Sequence, residues 1–104
     1  MADVTVKIPD VSDPRRNGFS ASVATIIAAG NNVVIKNEAG SDDNCTHLSL
    51  STAGNVKHRT KSMTDAEANS VYYVAGGWHR VVIHKILASE TDASLNIHIK
   101  VQDQ

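Results

Sequence analysis

A chain of 104 residues, 41% hydrophobic and 20% charged, has the composition of one ordinary globular domain over 1–104 and not of a disordered segment. Its net charge of -1 supplies no general attraction to nucleic acid or to an anionic membrane, so no nucleic-acid partner is predicted and membrane contact is not favoured. The single cysteine, Cys45, excludes an intrachain disulfide.

The chain opens with MADVTVKIPD, which has neither a basic n-region nor an apolar h-region. A cytoplasmic protein, or one exported without a classical signal peptide, is the expectation. Val4, Val6 and Ile8 alternate with Thr5 and Lys7, predicting a strand over 4–8 that Pro9 ends. The segment 20–30, SASVATIIAAG, admits two readings. Its alanines fit a helix with Ser20 or Ser22 as N-cap and Gly30 beyond the last turn. Its β-branched Val23, Thr25, Ile26 and Ile27, followed by Gly-Asn-Asn, fit a hairpin strand better, and the strand is the reading taken.

Short strands follow at 32–37 (NVVIKN) and 47–51 (HLSLS), separated by the Gly- and Asp-rich turn 40–44. The stretch 56–62 alternates but is rich in Lys, His and Arg, which predicts an edge strand protected by its charge. Thr64 and Glu67 have capping-box spacing, so one helical turn is expected near 64–69. Strands are expected again at 70–74, at 79–87 and over 95–101, where Leu95, Ile97, Ile99 and Val101 form the face to be buried. The sum is an all-β protein. It is expected to be a single antiparallel β-sandwich, or small barrel, of seven to eight short strands with one helical turn.

Chemistry-bearing motifs are few. His79 and His84, five apart in one predicted strand, point to opposite faces and share no metal ion there. No nucleophile elbow, phosphate-binding glycine loop or EF-hand pattern occurs, so no enzyme activity, cofactor or metal is predicted. Asn44-Cys45-Thr46 matches a glycosylation acceptor, read as a chance match because no signal-directed export is expected.

The informative stretch is 71–79, VYYVAGGWH, which holds three of the four aromatic residues. Adjacent tyrosines in a strand face opposite ways, so one of Tyr72 and Tyr73 enters the core and the other does not. Gly76-Gly77 makes an open turn and Trp78 follows it. Exposed rings pack on the apolar face of a sugar, while Asn, Asp and His side chains bond its hydroxyls. The expected ligand-binding set is therefore Tyr72, Tyr73, Gly76, Gly77, Trp78 and His79, with Asp42, Asp43 and Asn44 from a neighbouring loop.

Compact β-sandwich lectins and pore-forming cytolysins share this general build at the level of architecture, without a residue match. The function expected is a small, non-enzymatic, lectin-like protein binding a glycan or glycoconjugate. Weak sites gain avidity when presented together, so a homo-oligomer is expected. The alternatives are a membrane-active, toxin-like β domain and a structural assembly subunit.

Overall fold

The computed structural model describes residues 2–103. The protein is all-β; the described residues form nine strands in two sheets with little helix. The five-stranded sheet has the order β1-β3-β8-β5-β6, built from Asp3–Ile8, Asn32–Asn37, Lys85–Leu87, Gly54–Arg59 and Asn69–Tyr73. The four-stranded sheet has the order β2-β9-β4-β7, built from Ser20–Ser22, Ile97–Lys100, Cys45–Leu50 and His79–Ile83. Both sheets have free edges, so the described strands close no barrel. All pairings are antiparallel except β1 with β3, which run parallel from Asp3 beside Asn32 to Ile8 beside Asn37.

One core cluster draws side chains from both sheets. Ile8, Val33, Ile35, Val56 and Ile86 come from the larger sheet; Leu48, Leu50, Ile83, Ile97 and Ile99 come from the smaller. All are fully buried, and burial of each such side chain is worth about 1.5–3 kcal/mol. Their period-two spacing along each strand is what sends them to one side.

The described strands number nine where seven to eight were expected, and the parallel β1–β3 pair departs from the antiparallel arrangement expected throughout. Four further expectations change. Residues 20–30 make a short strand, β2, and then a five-residue helix, α1 (Ala24–Ala28), instead of one strand. Val23 is the N-cap, and Gly30 at φ +82° ends the turn in a conformation suited to glycine. The run 79–87 is broken at His84: β7 lies in the smaller sheet and β8 in the larger. His84 is buried at this crossing, with Nδ1 2.9 Å from the Asp43 carbonyl oxygen.

Leu95 is 71% exposed, in a turn closed by the Asn96 N–H to the Ala93 carbonyl, because β9 begins only at Ile97. The charged strand β5 is not an edge but lies between β8 and β6. Its charges are neutralised locally: Lys57 pairs with Glu90, and Arg59 Nε lies 2.7 Å from Asp65 Oδ1. The expected helical turn exists as a 3-10 turn over Asp65–Glu67, with the Thr64 N–H donating to Glu67 Oε1 at 2.8 Å.

Candidate functional site

The outer face of the four-stranded sheet carries the residues that alternate with the core. Strand register sets them in two rows. Ser20 of β2 lies beside Lys100 of β9, which lies beside His47 of β4, which lies beside Arg80 of β7. In the next row Ser22 lies beside His98, and His98 beside Ser49. Leu48 is opposite His79, so one step further along the register Trp78 arrives beside Ser49. Neighbours in such rows have Cβ atoms about 4.5–5.5 Å apart, close enough to act on one ligand.

Trp78 is held there by the turn before it. Gly76 and Gly77 have φ of +83° and +69°, a region that disfavours any residue with a Cβ. The Gly76 N–H donates to the Leu50 carbonyl at 2.9 Å, which fixes the turn against the end of β4. The indole is 42% exposed, and Lys100 Nζ sits 4.8 Å from its ring centroid, a cation–π contact. Between Trp78 and β2 lies an open cleft of ≈ 390 Å³, lined by Ser20, Ala21, Ser22, Ser49, Gly77, Trp78 and His98. Its lining is one aromatic face with hydroxyl and imidazole groups around it, and its volume is in the range of small-molecule sites.

His47 has a defined set of partners. Its Nδ1 is 2.8 Å from Thr46 Oγ1, which also accepts the Gln102 N–H at 2.7 Å. The hydroxyl donates to Nδ1 in one tautomer of the ring and accepts Nδ1–H in the other, when its own proton turns to the Lys100 carbonyl oxygen, 3.4 Å away. Desolvation, followed by the charges of Lys100 and Arg80, lowers the His47 pKa below 6.5.

The residues expected from sequence are divided by the fold. Gly77 and Trp78 line the cleft. Tyr73 turns inward, its hydroxyl 2.7 Å from His58 Nε2 and its ring 5.2 Å from that of His79. Tyr72 turns to the opposite side of β6 and is 62% exposed, while Trp78 turns to the opposite side from His79; the two rings share no surface. Gly76 shapes the turn without lining the cleft.

The 42–44 loop is elsewhere. Asp43 is buried against Arg16, Asp42 Oδ1 is 3.9 Å from Lys36 Nζ, and Asn44 Oδ1 accepts the Lys61 N–H. His58, expected on an exposed edge, is buried on the inner side of β5. Ser20, Ser22, His47, Ser49, Arg80, His98 and Lys100 lie outside the binding set expected from sequence. The available signal was their placement at polar positions of alternating strands, but register alone brings them together.

Neither a protein-family model nor a curated protein nor a solved structure matches the chain.

Proposed function

We propose that the two sheets form a β-sandwich and that the protein is a small, non-enzymatic, lectin-like glycan-binding protein whose site is the Trp78 cleft. The observation that carries this reading is a half-exposed indole beside an open cleft ringed by Ser20, Ser22, Ser49 and His98. A sugar ring has an apolar face of C–H groups and a rim of hydroxyls. The indole supplies a flat apolar partner for the first, and serine hydroxyls and imidazole supply donors and acceptors for the second. A site on sheet strands is also rigid, which limits the ordering cost of binding a small polar ligand.

Screening on a glycan array, followed by calorimetry with a retained sugar, tests the reading. Trp78→Ala is expected to weaken binding by about tenfold or more, as loss of an aromatic anchor does. Its melting temperature should change little, because a half-exposed ring contributes little to the core. Unchanged affinity in Trp78→Ala, or no retained glycan, would remove the cleft from consideration.

Self-association belongs to the same proposal. Strand β6 ends the larger sheet, and Val71, Tyr72 and Val74 are exposed along it and the loop that follows. An unpaired edge flanked by apolar side chains suits pairing with a second copy. Sedimentation at tens of micromolar, roughly the range where weak dimers form, should show a dimer that Val71→Lys abolishes; monomer alone in the unaltered protein would overturn this part. The same exposed strip supports a second reading, a membrane-active domain. Dye release from liposomes without glycan binding would select it.

A further inference from the structure

We infer that the Trp78 cleft takes an acidic glycan, one carrying sulfate or carboxylate groups, with Arg80, His47 and Lys100 as the anion-binding row. This rests on the cleft being the glycan site and goes on to name the ligand's chemistry.

Unanswered positive charge is concentrated on the outer face of the four-stranded sheet. On the five-stranded sheet and its loops most basic side chains are answered by carboxylates; Lys7 and Lys61 are the exceptions among the described residues, and they stand singly. Lys85 Nζ lies 2.8 Å from Asp65 Oδ2 and 3.4 Å from Asp3 Oδ2. Arg59 pairs with Asp65, Lys57 with Glu90, and Arg16 with Asp43 and Asp103. Among the described residues, Arg80 and Lys100 have no carboxylate partner, and they stand on either side of His47 in one row. A chain of net charge -1 thus gathers two unanswered cations and a histidine on one sheet face.

That row borders the cleft. Ser20, at one end of it, lines the cleft, and Lys100 reaches over the Trp78 ring that forms the cleft wall. A sugar stacked on Trp78 would hold an anionic substituent within reach of Lys100, with His47 and Arg80 next along the row. The His47 ring presents an Nε2–H donor in the neutral tautomer that accepts the Thr46 hydroxyl at Nδ1, and in the protonated ring. On protonation its Nδ1–H donates to Thr46 Oγ1, whose own proton can turn to the Lys100 carbonyl oxygen, 3.4 Å away. Both charge states are therefore accommodated without an orphaned donor.

The charged and titratable groups around His47 are Lys100 and His98 on β9 and Arg80 on β7, and none of them is acidic. An anion would relieve their mutual repulsion, so its binding should draw a proton onto His47.

The test compares dextran with dextran sulfate of equal length, by calorimetry on the full chain, after retention of a neutral glycan has been checked separately. Dextran sulfate should bind at least about tenfold more tightly than dextran, with an advantage that shrinks as salt is raised. Arg80→Gln, which lies outside the cleft lining, should cut that advantage severalfold while leaving neutral-glycan binding within about twofold. The His47 ring resonances should titrate at higher pH when dextran sulfate is added.

Equal affinity for the two polymers, with a neutral glycan still retained, overturns the acidic ligand but leaves the glycan site standing. Failure to bind any glycan overturns both. Equally tight binding of a duplex DNA fragment, insensitive to Trp78→Ala, would show a polyanion surface only and also overturn the proposal.

Discussion

Arg16→Met is expected to lower the free energy of unfolding by about 3–5 kcal/mol, the range for breaking a buried ion pair from one side. Arg16 is 6% exposed, and its guanidinium serves three parts of the chain at once. Nη1 lies 2.8 Å from Asp43 Oδ2 and 2.9 Å from the Pro9 carbonyl oxygen, while Nε lies 2.5 Å from Asp103 Oδ2. Methionine fills much of the volume but leaves the Asp43 carboxylate in the interior without its counter-charge. Asp103 can turn to water; Asp43 cannot. The double replacement Arg16→Met/Asp43→Leu removes the stranded charge and should recover part of the loss. Urea midpoints of the three proteins measure this, and a double variant less stable than the single one would contradict it.

The same pair sets an acid limit. Burial by itself raises the Asp43 pKa, but hydrogen bonds from Arg16 and the Asn44 N–H, with the charge of Arg16, outweigh it and hold the group below 3.8. A carboxylate with a lowered folded pKa contributes stability above its unfolded pKa and loses it as pH falls through the folded value. In Arg16→Met burial remains against only the Asn44 bond and the charge of Lys61, so acid unfolding should move to higher pH. The consequence reaches the cleft. The Gly18 N–H donates to Val101 and the Val101 N–H to Phe19, so the segment that Arg16 anchors leads directly into Ser20 and Ser22.

How much of this could be read in the chain depends on the range of the interaction that decides each element. The strand at 4–8 and the burial of Ile97, Ile99 and Val101 follow from local alternation, because one wetted face imposes period two, while 32–37 is marked by its β-branched run between turn residues and is buried on both faces. Leu95 continues the alternation but falls in a turn, since the Ser51 N–H bonds to the Asn96 carbonyl and the chain has yet to enter β9 there. Residues 24–28 are too few for helical periodicity to stand out against their β-branched content. The charges of β5 look the same in sequence whether they guard an edge or pair with Asp65, near in the chain, and Glu90, which only the tertiary fold brings in. No Gly or Pro marks the sheet change at His84, so 79–87 reads as one strand. The cleft was legible only in part. Trp78 beside its glycines marks it locally, but Ser20, Ser22, Ser49 and His98 join it through pairings across most of the chain length.

Tyr73→Ala is expected to destabilise the protein by about 3 kcal/mol, near the lower end for truncating a large aromatic. Tyr72→Ala, its neighbour, should change stability by less than about 0.5 kcal/mol, as exposed substitutions do. The difference comes from the pleat. Tyr73 packs against the core cluster between His58 of β5 and His79 of β7, with ring centroids 5.8 and 5.2 Å away. Its hydroxyl is the side-chain partner of the buried His58 Nε2, at 2.7 Å. Tyr73→Phe keeps the ring but leaves that nitrogen unpaired, which costs about 1–3 kcal/mol.

The pH dependence separates these effects. Burial lowers the His58 pKa below 6.5, so the folded state binds fewer protons than the unfolded chain at mildly acidic pH. Stability from this group is present above 6.5 and is lost as pH falls toward the folded pKa. Tyr73→Ala opens the pocket to water, which should return the His58 pKa toward 6.5 and flatten the profile; Tyr73→Phe leaves burial in place and should preserve the slope. Chemical denaturation of the three proteins from neutral to mildly acidic pH provides the measurement. Glycan binding should survive in Tyr73→Phe, because the ring that steadies His79 beside Trp78 is still there. A Tyr72→Ala variant as unstable as Tyr73→Ala would place the wrong tyrosine in the core.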